Sequence, residues 1–203
     1  MGSVEFHFFL VILLVACTGD PFVPIIIAKR YQGYSHLYET ISALGTTLSP
    51  VKKYLCGNLI IIGFLFVIFS FGQARAFQHT NWCHILFILG ILFFGLGSIM
   101  AGIFPEDPQG FSETSSGKIH GISSGIGFMF LILNPLWAVW IEEFGEMKAL
   151  NGILFLLAVI TFVLFMISEK RTRGVLKYTG LFQRLNLVVL YSHLIVNYLW
   201  MKK

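Results

Sequence analysis

Two histidines, three carboxylates and one arginine mark this chain, because each stands in or beside a long apolar run where an ionisable group is costly. They are His36 and His120, Asp20, Glu39 and Asp107, and Arg184. Two of them share the segment Gly33-Tyr34-Ser35-His36-Leu37-Tyr38-Glu39-Thr40-Ile41-Ser42-Ala43-Leu44-Gly45. It is too apolar for a free loop, and the spacing of Leu37, Ile41 and Leu44 predicts an ordered, partly helical piece. As a helix it carries His36, Glu39 and Ser42 on one face, lying at a membrane interface with its polar groups turned inward. His36, His120 and a carboxylate from Glu39 or Asp107 form the donor set of a two-histidine, one-carboxylate zinc site that could activate water. Ser35 and Ser124 are the side chains near enough in sequence to orient such ligands. The same groups, joined only by hydrogen bonds, make a polar site for an amphipathic ligand. In that arrangement Arg184 takes an anionic headgroup, with Gln183 beside it.

The spacing favours the second chemistry. The chain has no His-x-x-x-His or Glu-x-x-His helix motif, so zinc ligands would arrive singly from separate segments. A haem carrier would need His120 facing His193, or His79 facing His84, and no spacing pairs them. Arg184 is the one Lys or Arg inside an apolar run, so it either snorkels or finds a carboxylate, with Asp107 the expected partner. Asp20 precedes Pro21 and Pro24. Either the first helix ends near Gly19, or it is broken beside a polar cavity. Glu106 and Asp107 sit between Pro105 and Pro108, as a solvated turn or as an acidic pair aimed at a cation. Gly117, Gly121 and Gly125 recur every four residues beside His120 and Ser124, which predicts close helix approach, and Asn134-Pro135 predicts a kink.

The elements that must hold these residues follow from composition. Of 203 residues, 56% are hydrophobic and 12% charged, against about 25% charged in a soluble domain. Mean hydropathy is +0.79. Six runs approach the roughly 20 residues that cross a bilayer, at about 6–28, 54–72, 85–104, 119–141, 149–168 and 180–201. The expectation is one all-α integral membrane domain over 1–203, a six-helix bundle in the cell membrane with both termini on one side. The longer loops, 29–53, 105–118 and 169–179, then share the opposite face, where His36, Glu39, Asp107, His120 and Arg184 gather. Those loops carry Lys29, Arg30, Lys52, Lys53, Lys118, Lys170, Arg171, Arg173 and Lys177. The terminal face carries Arg75, Lys148, Lys202 and Lys203, so a plain count puts the long loops inside. The net charge of +4 comes from short clusters at the ends of apolar runs, where lipid headgroups and not nucleic acid are the natural partners. Cys17, Cys56 and Cys83 make no disulfide framework, and no Lys or Arg precedes Cys17 as a lipoprotein signal requires.

Four pieces in order resemble the domain-of-unknown-function 998 family of small six-span membrane proteins. They are Gly33-Tyr34-Ser35-His36 with Ile41-Ser42-Ala43-Leu44-Gly45, then Ala101-Gly102-Ile103-Phe104-Pro105-Glu106-Asp107-Pro108, Gly117-Lys118-Ile119-His120, and Gly180-Leu181-Phe182-Gln183-Arg184. A looser similarity extends to the Frag1/DRAM/Sfk1 membrane proteins, some linked to lipid handling. The resemblance implies six helices and a shared motif face, and brings no activity. It also implies basic loops on the terminal side, from which Glu142, Glu143 and Glu146 depart.

Overall fold

Backbone N–H and C=O groups have no water to bond in hydrocarbon, so long apolar runs satisfy them internally as helices. The computed structural model describes residues 2–77, 81–108, 110–169 and 177–202. They form six long helices: α1 Ser3–Ala28, α2 Lys52–Ala76, α3 Trp82–Ile103, α4 Ser115–Ala138, α5 Lys148–Glu169 and α6 Thr179–Trp200. Short 3₁₀ turns occupy Ser42–Gly45 and Glu142–Met147, and there is no strand among the described residues. His79, Lys170, Arg171, Arg173 and Lys203, used above for haem pairing and orientation, lie outside the described residues.

Five segments are long and apolar enough to cross a membrane: α1, α2, α3, α4, and Glu142–Ser168, which contains most of α5. α6 falls short on composition for a physical reason. Its polar residues Gln183, Asn186, His193 and Asn197 are all buried, so they reduce its hydropathy without facing the surroundings. Each helix packs on its neighbours in sequence, and α6 returns to α1. The α1–α6 contact is antiparallel. Tyr191 donates to Asp20 Oδ2 at 2.6 Å, and Tyr198 donates to the Phe6 carbonyl at 3.1 Å while stacking on the Phe6 ring. Leu13, Phe66, Phe69 and Leu190 are fully buried in the core. α5 lies at the edge: 11% of its apolar window is buried, against 44% for α3.

Two expectations need correction. α1 neither ends near Gly19 nor breaks; it continues through Pro21 and Pro24 to Ala28, and Asp20 is buried on the bundle side. The glycine row on α4 does not seat a neighbouring helix, although the Asp107 side chain lies close against Gly117. A Cβ at Gly121 or Gly125 would meet nothing within 4 Å. α3 instead meets α4 where Gly97 lies against the Ser123 carbonyl and Gly127, a face about 200° round the helix from Gly121 and Gly125. α2 and α3 cross similarly at Gly63 and Gly95, where a Cβ on Gly63 would come 2.5 Å from the Gly95 carbonyl. Residues 34–45 are ordered and partly helical, as expected, with a 3₁₀ turn at Ser42–Gly45 in place of a longer regular helix. A turn closes with Glu39 N–H on the Ser35 carbonyl at 2.9 Å, and the 3₁₀ turn follows.

Candidate functional site

The first two turns of α6 anchor the segment 34–45. Arg184 Nη1 donates to the carbonyls of His36 (2.8 Å), Glu39 (3.2 Å) and Gly180 (2.9 Å). Its Nη2 donates to Tyr34 Oη at 2.7 Å and His36 Nδ1 at 3.1 Å. The expected pairing with Asp107 does not occur; Nη1 is held by backbone carbonyls, which also favour a cation, and Nη2 by Tyr34 and His36. Beside it, Gln183 Oε1 accepts the Ile41 N–H at 2.7 Å, and Leu181 N–H donates to the Leu37 carbonyl at 3.1 Å. Gly180 is required here, since a Cβ would run into the Glu39 and His36 carbonyls.

Within the segment the side chains diverge. Tyr34 donates to the Thr40 carbonyl at 2.9 Å. Burial pushes its phenol above the usual range, with Arg184 opposing. Burial, then the Arg184 charge, holds the His36 imidazole below its usual range, consistent with an Nδ1 lone pair facing a cation. Glu39 Oε2 turns back to accept the Ser35 N–H at 2.7 Å. Asp107 caps the start of α4, accepting from Thr114 N–H at 2.7 Å and Thr114 Oγ1 at 2.8 Å. An acidic side chain suits a helix N-terminus, a role for Asp107 that differs from both the solvated turn and the cation-directed pair.

His120 is buried and fixed by α3. Its Nδ1 lies 3.2 Å from the Ala101 carbonyl and 3.0 Å from that of Phe104. Two acceptors at Nδ1 assign the proton there, so Nε2 accepts from Ser42 Oγ at 3.1 Å. Ser124 donates to the His120 carbonyl one turn back. His36 and His120, expected to approach each other, are therefore engaged by different partners. Among the described residues no three His, Cys, Asp or Glu converge as a metal would require. Of the other described haem candidates, His193 bonds through Nδ1 to Asn151 and Asn197, and His84 bonds Asn81 and Glu143.

Three cavities meet at this end of the bundle. The largest, about 410 Å³, lies between α4 and α5. Thr40, Ser42, Glu106, His120, Ser124 and Gln183 line it on one side, and Phe128, Met129, Phe162, Phe165 and Met166 on the other, with Gly121 and Gly125 opening its floor. A small cavity of about 40 Å³ shares Ser42, Ser124, Phe128 and Gln183 with it and reaches Asp20. A third, about 270 Å³, holds Glu39, Asp107, Tyr31 and Tyr38 and shares Thr40 and Glu106 with the first. The expected residues thus divide. Asp20, His120, Ser124 and Gln183 border the two connected cavities, Glu39 and Asp107 border the third, and His36 and Arg184 act behind them on the backbone. Sequence reasoning gave Ser42 a place on a face but no role, and passed over Tyr34, Thr40 and the α5 wall. Nothing in the spacing of Phe162, Phe165 and Met166 tells a cavity wall from a lipid-facing stripe.

A family model described as "Protein of unknown function (DUF998)" matches residues 14–199. No curated protein and no solved structure matches the chain. The chain belongs to the DUF998 family.

Proposed function

For a member of a family whose description assigns no activity, we propose a six-span membrane protein that binds or moves a lipid or related amphipathic molecule in the cavity between α4 and α5. The observation that carries this is the division of the cavity's wall, polar toward the segment 34–45 and α6, apolar toward α5. Ligand pockets are commonly of this size and lined mostly by apolar groups with a few placed polar ones. The bare glycines of α4 support the same reading. A face of α4 not used to pack a neighbouring helix is left without side chains at Gly121 and Gly125, which makes room for a guest.

Arg184 has a different role from the headgroup clamp its position suggests. Its Nη1 and Nη2 donors serve the segment 34–45 and the first turn of α6, so it builds the wall. The polar groups that meet a headgroup are Thr40, Ser42, Ser124 and Gln183. The sixth crossing is supported by length and register: 22 residues rise about 33 Å, and α6 runs from Arg184 at the segment 34–45 to Tyr198 at Phe6.

Native mass spectrometry of the detergent-purified chain tests the reading. Wild type should retain lipid, and Gly121→Leu/Gly125→Leu, which fills the floor, should lose most of it with the fold intact. Lipid-free wild type on addition of mixed phospholipid vesicles, or equal retention by the double variant, would overturn it.

A further inference from the structure

We infer that Ser42 and His120 are a nucleophile and its general base, acting on an acyl ester held in the same cavity. The inference rests on the amphipathic-ligand reading and adds a reaction to it. Ser42 Oγ donates to His120 Nε2 at 3.1 Å, within the reach that serine activation requires. The opposite ring nitrogen donates to the Ala101 and Phe104 carbonyls. A buried carboxylate usually fills that place, holding the tautomer and stabilising the imidazolium as it forms. Here the last turn of α3 supplies both: two carbonyls fix the ring, and they stand at a helix C-terminus, whose partial negative charge favours a cation. Ser42 lines both the large cavity and the small one reaching Asp20, so its hydroxyl is presented to a guest. A hydroxyl needed only to satisfy an imidazole could be sealed in the core.

Gln183 completes the geometry. Its Oε1 is committed to the Ile41 N–H, one residue before the nucleophile, so its amide nitrogen is the end left to donate. The side chain borders the same two cavities, where that donor meets the oxyanion of a tetrahedral intermediate. The step balances with water as the only co-reactant. Ser42 Oγ bonds the carbonyl carbon and its proton passes to His120 Nε2. The ester C–O bond breaks, and the leaving alkoxide takes that proton. Water then attacks the acyl-serine, gives its proton to Nε2, and the C–Oγ bond breaks as Ser42 is reprotonated. The products are a fatty acid and an alcohol.

The test is labelling of the full chain in nanodiscs with an alkyl fluorophosphonate, mapped by peptide mass spectrometry. The adduct is expected on Ser42. Turnover of a fluorogenic medium-chain acyl ester should vanish in Ser42→Ala. It should fall about 100-fold or more in His120→Gln and about 100-fold in kcat for Gln183→Leu, with KM little changed. Wild type that retains lipid yet shows no Ser42 adduct and no turnover would overturn the dyad and leave the binding reading standing. Wild type that neither retains lipid nor labels removes both. Because the mapping needs only wild type, a variant that misfolds does not spoil the test.

Discussion

At the start of α6, Gln183 and Arg184 hold polar groups beside open cavities. About three turns further along, His193 and Asn197 hold theirs against Asn151, and none of the three borders those cavities. In this second cluster, Asn151 Nδ2 donates to Asn197 Oδ1 at 3.0 Å and Asn197 Nδ2 to Asn151 Oδ1 at 2.8 Å. Asn197 also donates to the His193 carbonyl at 2.8 Å. The two carboxamides satisfy each other across α5 and α6, in the manner of polar residues that join helices in an apolar medium. Both clusters are rich in carboxamide and imidazole groups. They differ in what is left over. The inner cluster turns its hydrogen bonds inward and leaves His193 Nε2 unpartnered in the closed core, while the outer one spends most of its own on the chain and leaves Ser42 and Gln183 facing space. Burial of a polar residue therefore does not mark a site; unspent capacity beside a cavity does.

The largest expected effect is at the inner cluster. Asn151→Leu leaves Asn197 Oδ1 without its donor and His193 Nδ1 with one partner of two, in an apolar interior where an unsatisfied group costs about 1–3 kcal/mol. Unfolding in detergent should show a loss of about 3 kcal/mol, with lipid retention unchanged in the folded fraction. Loss of lipid without loss of stability would break the comparison. Arg184→Ala should come next, lowering stability by about 2 kcal/mol, as for lost hydrogen bonds to a charged group. Amide exchange should quicken across residues 34–45. Among the described residues Lys177→Ala removes ring contacts, with Nζ 5.2 Å from the Tyr38 centroid, and should do clearly less. Equal small effects would mean that Arg184 does not hold the segment.

Gly125→Ala sharpens the contrast from the other side. With nothing within 4 Å of the new methyl and a better helix former in place, stability should rise by about 0.5–1 kcal/mol; a fall would show that α4 is packed there after all. The smallest effect concerns pH. His36 is held below its ordinary 6.5 by burial and Arg184. The unfolded chain therefore binds this proton first, and the stabilisation is complete above pH 6.5 and fades as pH falls through the folded value. The protection of amides in 34–45, taken relative to the intrinsic exchange rate at each pH, should fall modestly from pH 7 to pH 5, and His36→Gln should flatten that dependence. A wild-type profile as flat as the variant's would remove His36 from the anchor.

The helices were legible because a bilayer-length apolar run admits few other structures; α3 and α6 lie within three residues of the runs that predict them. What failed to read was directional. Pro21 and Pro24 argue for a helix end, and tertiary packing overrides them. Arg184 invites a carboxylate, but sequence cannot display backbone carbonyls as acceptors. Gly121 and Gly125 show the spacing of a packing seam, and only the rotation of α4 about its axis reveals that they face a void. The polar residues of α6 suggest a poor membrane helix until their burial is seen. Within the site, Gln183, His120 and Asp20 could be named from residue type and depth, whereas Ser42 needed the fold of residues 34–45 to meet His120.

One wall of the large cavity belongs to α5, the helix with the least of its apolar window buried. Under the proposed reading, that gives the site a side door onto the bilayer. A guest entering there never leaves the two-dimensional phase in which it is dissolved, so its supply is set by mole fraction in the leaflet and not by aqueous solubility. Selectivity then lies in partition between membrane and cavity: every neighbouring lipid competes at the threshold, and the polar groups at Ser42 and Gln183 choose among them by headgroup once the tail is inside.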